Sequence, residues 1–363
     1  MTPHTPLHGI HVPLITPFTA RGDVAYDALE ALAHSVLTAG ATGIVALGTT
    51  AEAAALDPVE KRTITEVCAR VCREHGAPLT VGAGTNDTRV SESALAELAR
   101  RPEVTAALVT VPAFTRPSEE GVIAHFTRLA AAAPVPLIIY HVPYRTARPL
   151  SVSTLRTLAR VPGIAGIKYA AGGISQETIE LMGSACPTDS GSSDSGSTAF
   201  GATDSGSTDS GTTDFGTTDF AVLAGDDVFV SPMLGLGAAG GILASAHLAT
   251  RRFADLALAW QEGDVAYARD LGHALARLSA ALFHEPNPTV IKGVLHAQGL
   301  IPTADVRLPL LPAHDETVAM ALRRLRDRTA PGGVRRGRGE PGDTHVGSRP
   351  RGRSGCAPCA SPR

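Results

Sequence analysis

The sequence predicts an α/β fold: a (β/α)₈ TIM barrel followed by a C-terminal helical extension. Two observations carry this. Eight short, nearly continuously apolar runs alternate with segments of helical periodicity, as expected for parallel strands covered on both faces. The chain, at 363 residues, is also long enough for one large barrel with helices to spare. A doubly wound sheet would share the alternation, but no G-x-G-x-x-G follows the first run.

In chain order the strand-like runs are GIHVPLIT (9–16), GIVALG (43–48), LTVGAG (79–84), AALVTV (106–111), LIIYHV (137–142), IAGIK (164–168), FAVLAG (220–225) and GGILAS (240–245). Helical patterns fill the gaps, among them YDALEALAHSVLTAG, DPVEKRTITEVCARVCREHG, SESALAELARR and SEEGVIAHFTRLAAAA. Several open on an Asp or Ser suited to capping, and two close on Gly. After the eighth run, helical stretches near 250–263, 264–285 and 288–299 form the extension. The expected organisation is a barrel over 1–250, a helical region over 251–328 and a disordered basic tail over 329–363.

One segment interrupts the barrel. Over 187–219 the chain repeats every five residues, with Asp at 189, 194, 204, 209, 214 and 219 and Gly at 191, 196, 201, 206, 211 and 216. A period of five suits neither helix nor strand, and such small polar residues cannot bury a core. The aspartates match neither a calcium β-roll nor an EF-hand loop, so the expectation is a disordered insertion without metal. Joining the helix after the sixth strand to the seventh strand, it should emerge at the barrel face opposite the strand C-termini.

Composition narrows the function classes. Net charge is −3, and the tail from Pro331 holds seven Arg against Glu340 and Asp343, so the globular part is more acidic than the whole. That argues against a nucleic-acid surface there. No apolar run is long enough to span a membrane, and the N-terminus lacks the features of a signal peptide, so a cytoplasmic protein is expected. Cys68 and Cys72 share a helix face as packing residues, and the C-x-x-C of Cys356 and Cys359 lacks a second ligand pair.

Of 32 basic residues only Lys61, Lys168 and Lys292 are lysines. An amine can lose its proton and attack a carbonyl, which a guanidinium cannot, so these three positions hold the candidates for covalent chemistry. Barrel chemistry sits where strands end at the C-terminal face. Lys168 closes the sixth run, where desolvation favours the neutral nucleophilic amine. Tyr140 closes most of the fifth, placing a phenol near that amine to pass protons. Gly48-Thr49-Thr50 offers backbone N–H groups and two hydroxyls for a small carboxylate, and Arg145 offers a guanidinium fork for a second. Each alone reads as an ordinary surface residue or turn; at the ends of three strands they form a constellation.

GTTAE, VPAFTRPSEEG, YHVPYRT, GIKYA, AGDD and EPNP, in this order and spacing, resemble the dihydrodipicolinate synthase and N-acetylneuraminate lyase family of class I aldolases. The resemblance runs from about His8 to Pro312 outside the five-residue repeat. It implies that Lys168 forms a Schiff base with pyruvate, that Tyr140 relays protons with Thr50, and that Thr49 and Thr50 bind the pyruvate carboxylate. It also implies that Arg145 receives the carboxylate of aspartate semialdehyde, and that Gly225 and Ile242 line the pyruvate pocket through their backbone. The sequence departs from the family at Ala51 for Gly, His141 for Asn, and Ala113-Phe114 for two tyrosines. The second of those tyrosines completes the hydroxyl relay from a neighbouring subunit, and Phe114 has no hydroxyl. Ala53, Pro58, Lys61, Val90 and Ala113 occupy positions matching the family's lysine-feedback cleft.

The resulting expectation is a homo-oligomer, tetramer or dimer, with no cofactor and no metal. It condenses pyruvate with aspartate 4-semialdehyde to 4-hydroxy-tetrahydrodipicolinate. The alternatives are another pyruvate-dependent aldolase or lyase for a 2-oxo acid or sugar acid, and a catalytically silent barrel with a binding role.

Overall fold

In the computed structural model, which describes residues 7–185 and 220–327, eight parallel strands close into a barrel in sequence order. They are β1 (Gly9–Pro13), β2 (Gly43–Ala46), β3 (Leu79–Gly82), β4 (Val104–Thr110), β5 (Leu137–His141), β6 (Ile164–Tyr169), β7 (Ala221–Ala224) and β8 (Gly240–Ile242). Every expected run overlaps its strand, and β4 starts two residues before its run, at Val104. Most strands stop short of the apolar run, β1 at Pro13 rather than residue 16 and β8 at Ile242 rather than residue 245. The reason is that Leu14, Ile15, Leu243 and Ala244 stay buried after the strand ladder ends, so apolar character outlasts β structure. The run containing Lys168 instead extends one residue, to Tyr169.

The helices on the barrel's outside are α1 (Tyr26–Thr38), α2 (Pro58–His75), α3 (Thr88–Leu98), α4 (Glu119–Ala132), α5 (Pro143–Thr146), α6 (Val152–Ala159), α7 (Gln176–Ala185), α8 (Val230–Gly235) and α9 (Ala246–Gln261). The extension adds α10 (Val265–Leu282), α11 (Thr289–Ala297) and α12 (Asp315–Arg326). The capping signals work as physics requires. Asp57 and Glu60 form a reciprocal capping box at the start of α2, and Gly76 ends it in the left-handed conformation. Ser118 caps α4. The third helix starts earlier than its Ser-Glu-Ser pattern suggests, because Asp87, not Ser91, is the cap, and Ser91 is buried inside the first turn.

Two apolar cores result. The larger lies between the strands and the helices and includes Cys68 and Cys72, whose thiols burial pushes upward. The smaller fills the barrel with alternate side chains, among them Val45, Leu108, Ile138, Tyr140, Leu223 and Ile242. Among the described residues no helix is long and apolar enough to cross a membrane. The five-residue repeat and the basic tail lie outside the described residues. The chain leaves the described structure at the end of α7 and returns just before β7, on the side of the strand N-termini.

Candidate active site at the strand C-termini

The site follows from strand register. Tyr140 on β5 pairs with Lys168 on β6, which pairs in turn with Leu223 on β7, so all three face the barrel interior. The Lys168 side chain is buried, and its Nζ lies 4.2 Å from the centre of the Tyr140 ring. The amine thus sits over the ring face, a refinement of the expectation that it would lie near the phenol oxygen. Burial lowers the Lys168 pKa to about 8, a fall opposed by the charges of Asp227 and Asp226. No carboxylate among the described residues lies within ion-pair distance of it.

The other two lysines fare differently. Lys292 is fully buried but paired with Glu52 at 2.7 Å, and Lys61 is half-buried on a cavity wall. Only Lys168 combines burial with an unpaired amine.

Burial pushes the Tyr140 phenol up to about 12, a rise opposed by the positive charge of Arg145. Tyr140 shares a cavity wall with Thr49, from the loop after β2. Thr49 and Thr50 stand in a 3₁₀ turn, Thr49–Ala51, entered from extended Gly48. Thr49 is exposed, whereas Thr50 is buried and its Oγ1 accepts from Asn287 Nδ2 at 2.8 Å.

Thr49, Tyr140, Arg145 and Asn287 line one cavity of about 730 Å³, with Gly48, Thr110 and the segment from Arg307 to Leu310. Lys168, Thr50, Gly225 and Ile242 are not on its walls. Lys168 lies against the Tyr140 ring, Thr50 is buried against Asn287, and Ile242 is in the barrel core with Tyr140. Gly225 approaches Lys168 so closely that a Cβ there would sit 2.9 Å from the lysine Cγ, which is why the position takes glycine. Arg145, in α5, is exposed; its guanidinium lies 5.8 Å from the Tyr144 ring and pairs with no carboxylate among the described residues. An unpaired arginine at the mouth of such a cavity can receive an anion.

Several site residues escaped the sequence reading. Asp226 accepts from the Tyr144 hydroxyl (3.1 Å) and from Gly172 N (2.7 Å). Asp227 accepts from Ser245 N (2.5 Å), and burial raises its pKa to about 6. Both lie within the AGDD block, where the doubled aspartate next to a close-approach glycine was the available signal. Phe114 is 89% exposed at φ 61°, a left-handed conformation uncommon for an aromatic residue. His141 pairs with Tyr169 and packs against its ring, away from the barrel interior.

Together these features give a buried amine with a depressed pKa, a phenol over it, paired hydroxyls on the neighbouring loop and a free guanidinium at the rim. Comparison with known proteins agrees with that chemistry. The dihydrodipicolinate synthetase family model matches residues 6–191 and 208–326. A 4-hydroxy-tetrahydrodipicolinate synthase of Pseudomonas aeruginosa is 34% identical over 325 residues, covering 87% of this chain and 97% of that one. The crystal structure of the chloride-inhibited dihydrodipicolinate synthase from Acinetobacter baumannii complexed with pyruvate superposes with a TM-score of 0.75 at 30% identity, covering 88% of this chain and 99% of that one. That of the enzyme from Cyanidioschyzon merolae with lysine bound gives 0.75 at 25% identity, covering 88% and 97%. The chain belongs to the dihydrodipicolinate synthetase family.

Proposed function

We propose that this chain is a lyase that condenses pyruvate with L-aspartate 4-semialdehyde to 4-hydroxy-tetrahydrodipicolinate through an imine on Lys168. The observation that carries the reading is Lys168, which alone among the three lysines combines burial with the absence of an ion-pair partner, and whose pKa burial lowers to about 8. The neutral amine attacks the pyruvate carbonyl carbon, and the carbinolamine loses its oxygen as water to give the imine. Loss of a methyl proton yields the enamine, whose carbon attacks the aldehyde; the amino group of the semialdehyde then adds to the imine carbon and displaces Lys168, closing the ring and freeing the amine for the next turnover.

Tyr140, on the same cavity wall as Thr49, passes protons to and from the oxygen that leaves as water. Thr49 and Thr50 hold the pyruvate carboxylate, and Arg145 takes the carboxylate of the aldehyde. The backbone of Gly225 and Ile242 closes the pyruvate pocket. The names of the similar proteins support the same substrates. The exposed Phe114 side chain supports assembly as a homo-oligomer, which would cover it.

Phe114 also favours a second reading, a pyruvate-dependent aldolase for a different aldehyde, since it brings no hydroxyl to the relay. A coupled assay separates the two. Pyruvate and aspartate semialdehyde are supplied together with the reductase that consumes the cyclic product, and nicotinamide oxidation is followed. Turnover is the expected result. Its absence, in protein that still traps pyruvate under borohydride, would transfer the assignment to the second reading. Absence of trapping would leave a binding role.

A further inference from the structure

The turn that carries Thr49 and Thr50 is held from outside the barrel. It ends at Glu52, a non-glycine residue in the left-handed region (φ 54°, ψ 34°), from which a second 3₁₀ turn, Ala53–Ala55, departs. Such a conformation costs energy and persists only where the surroundings fix it. Here both carboxylate oxygens are engaged. Oε1 accepts from Lys292 Nζ at 2.7 Å, and Oε2 accepts from Arg307 N at 2.7 Å.

The two charged side chains are 0% and 2% exposed. Phe18 closes the site, with Lys292 Nζ 4.1 Å and Arg307 Cζ 4.5 Å from its ring centre. Arg307 in turn bonds Glu60, Ala55 O and Gly22 O, tying the following segment to the start of α2. Removing one member of a buried pair strands the other, so Glu52 cannot keep its place without Lys292.

A second contact comes from the same segment of chain. Asn287, just before α11, donates to Thr50 Oγ1, occupying one lone pair of a group that has a single proton of its own. The Thr50 proton is therefore turned away from Asn287. The Oδ1 of Asn287 is buried without a partner, so the amide is aimed by this one bond rather than by a network. Within six residues, the entry to α11 thus grips the turn at the Thr50 hydroxyl and at the Glu52 carboxylate.

We infer that Asn287 and Lys292 are positioning residues: acting through Thr50 and Glu52, they set the geometry with which the Thr49–Thr50 turn recognises the carboxylate of the keto acid. The inference rests on the proposed role of that turn. Recognition of the carboxylate is then governed by the C-terminal helices, while the reactivity of the amine is governed by the barrel.

The two functions separate experimentally with two ketones, pyruvate and acetone, which differ in the carboxylate. Borohydride-trapped adduct is measured by mass against ketone concentration for the wild type, Asn287→Ala, Lys292→Met and the double variant Glu52→Gln/Lys292→Met. Circular dichroism confirms that each is folded. Asn287→Ala strands no buried charge and keeps the test open if Lys292→Met fails to fold. The expected result is a rise of about tenfold or more in half-saturating pyruvate, the scale of a lost hydrogen bond to a charged group, with acetone trapping within about twofold of wild type. A merely structural role would move both ketones together or neither. Unchanged half-saturation for pyruvate in folded variants, or parallel loss of both ketones, overturns the positioning role. Wild-type protein that fails to trap pyruvate overturns instead the function on which it rests.

Discussion

Replacing Asp227 by Asn should move the pH dependence of imine formation to lower pH. Asp227 is the carboxylate whose charge does most to hold Lys168 protonated, against the burial that lowers the amine to about 8. At that value about one amine in eleven is neutral at pH 7, about one in a hundred at pH 6 and half at pH 8. A lysine left at 10.5 would be neutral in only about three molecules per ten thousand at pH 7, so the burial is worth roughly 300-fold in nucleophile. Asp227, at about 6, is mostly ionised over the upper part of this range. Asparagine keeps the shape and an oxygen to accept from Ser245 N while removing the charge. The ammonium form loses its main support, and the amine pKa falls. A first unit of fall raises the neutral fraction about ninefold at pH 6 and about fivefold at pH 7, and leaves it almost unchanged above pH 9. The assay is the initial rate of reductive trapping at subsaturating pyruvate from pH 5.5 to 9.5. An inflection near 8 in the wild type and below it in Asp227→Asn is expected. A wild-type inflection near that of free lysine, or an upward shift in the variant, would refute the reasoning.

Acid stability offers an independent check. Burial depresses His11, His141 and His247 to about 4, and His247 is fixed neutral, accepting from Ile15 N and contacting Ala244 O. The unfolded chain binds protons at these sites from about 6.5 downward and the folded one does not. Stability present above 6.5 is thus lost as pH falls toward 4, by up to about 3 kcal/mol per histidine. A urea midpoint that stays level between pH 6.5 and 4.5 would contradict this. Deleting most of the five-residue repeat and leaving a short linker should keep turnover within about twofold, since the flanking ends lie away from the strand C-termini. Lost activity in folded protein would count against it. Free L-lysine should inhibit poorly. Ala53 and Lys61 line the cavity and Val90 is exposed, so these positions offer a methyl, a cation and a hydrocarbon where an ammonium group needs acceptors. Half-inhibition at submillimolar lysine would show otherwise.

The strands were legible because parallel barrel strands are apolar along their whole length, and Lys168 was legible because lysine is so rare in this chain. The helix α12 was not proposed from the sequence. DETVAMALRRLR carries five charged residues in twelve and buries only Thr317 and Ala321. Lys292 stands in TVIKGVL, where a cation reads as a break in an apolar run. Its partner Glu52 lies 240 residues away, and no local pattern reports such a pairing. The same distance problem hid Asn287 behind Thr50. The five named groups Thr49, Tyr140, Arg145, Thr50 and Lys168 end strands or follow them, so topology alone brings them together. Which of them face the cavity depends on side-chain direction within each loop.

The mass of the protein after incubation with pyruvate and borohydride shows whether Lys168 is the nucleophile. Lys168→Arg keeps a cation at the site but has no removable proton at neutral pH. One pyruvyl adduct per chain is expected in the wild type, in Lys61→Arg and in any folded Lys292 variant at saturating pyruvate, and none in Lys168→Arg. An adduct that survives Lys168→Arg would place the chemistry on another residue and contradict the account.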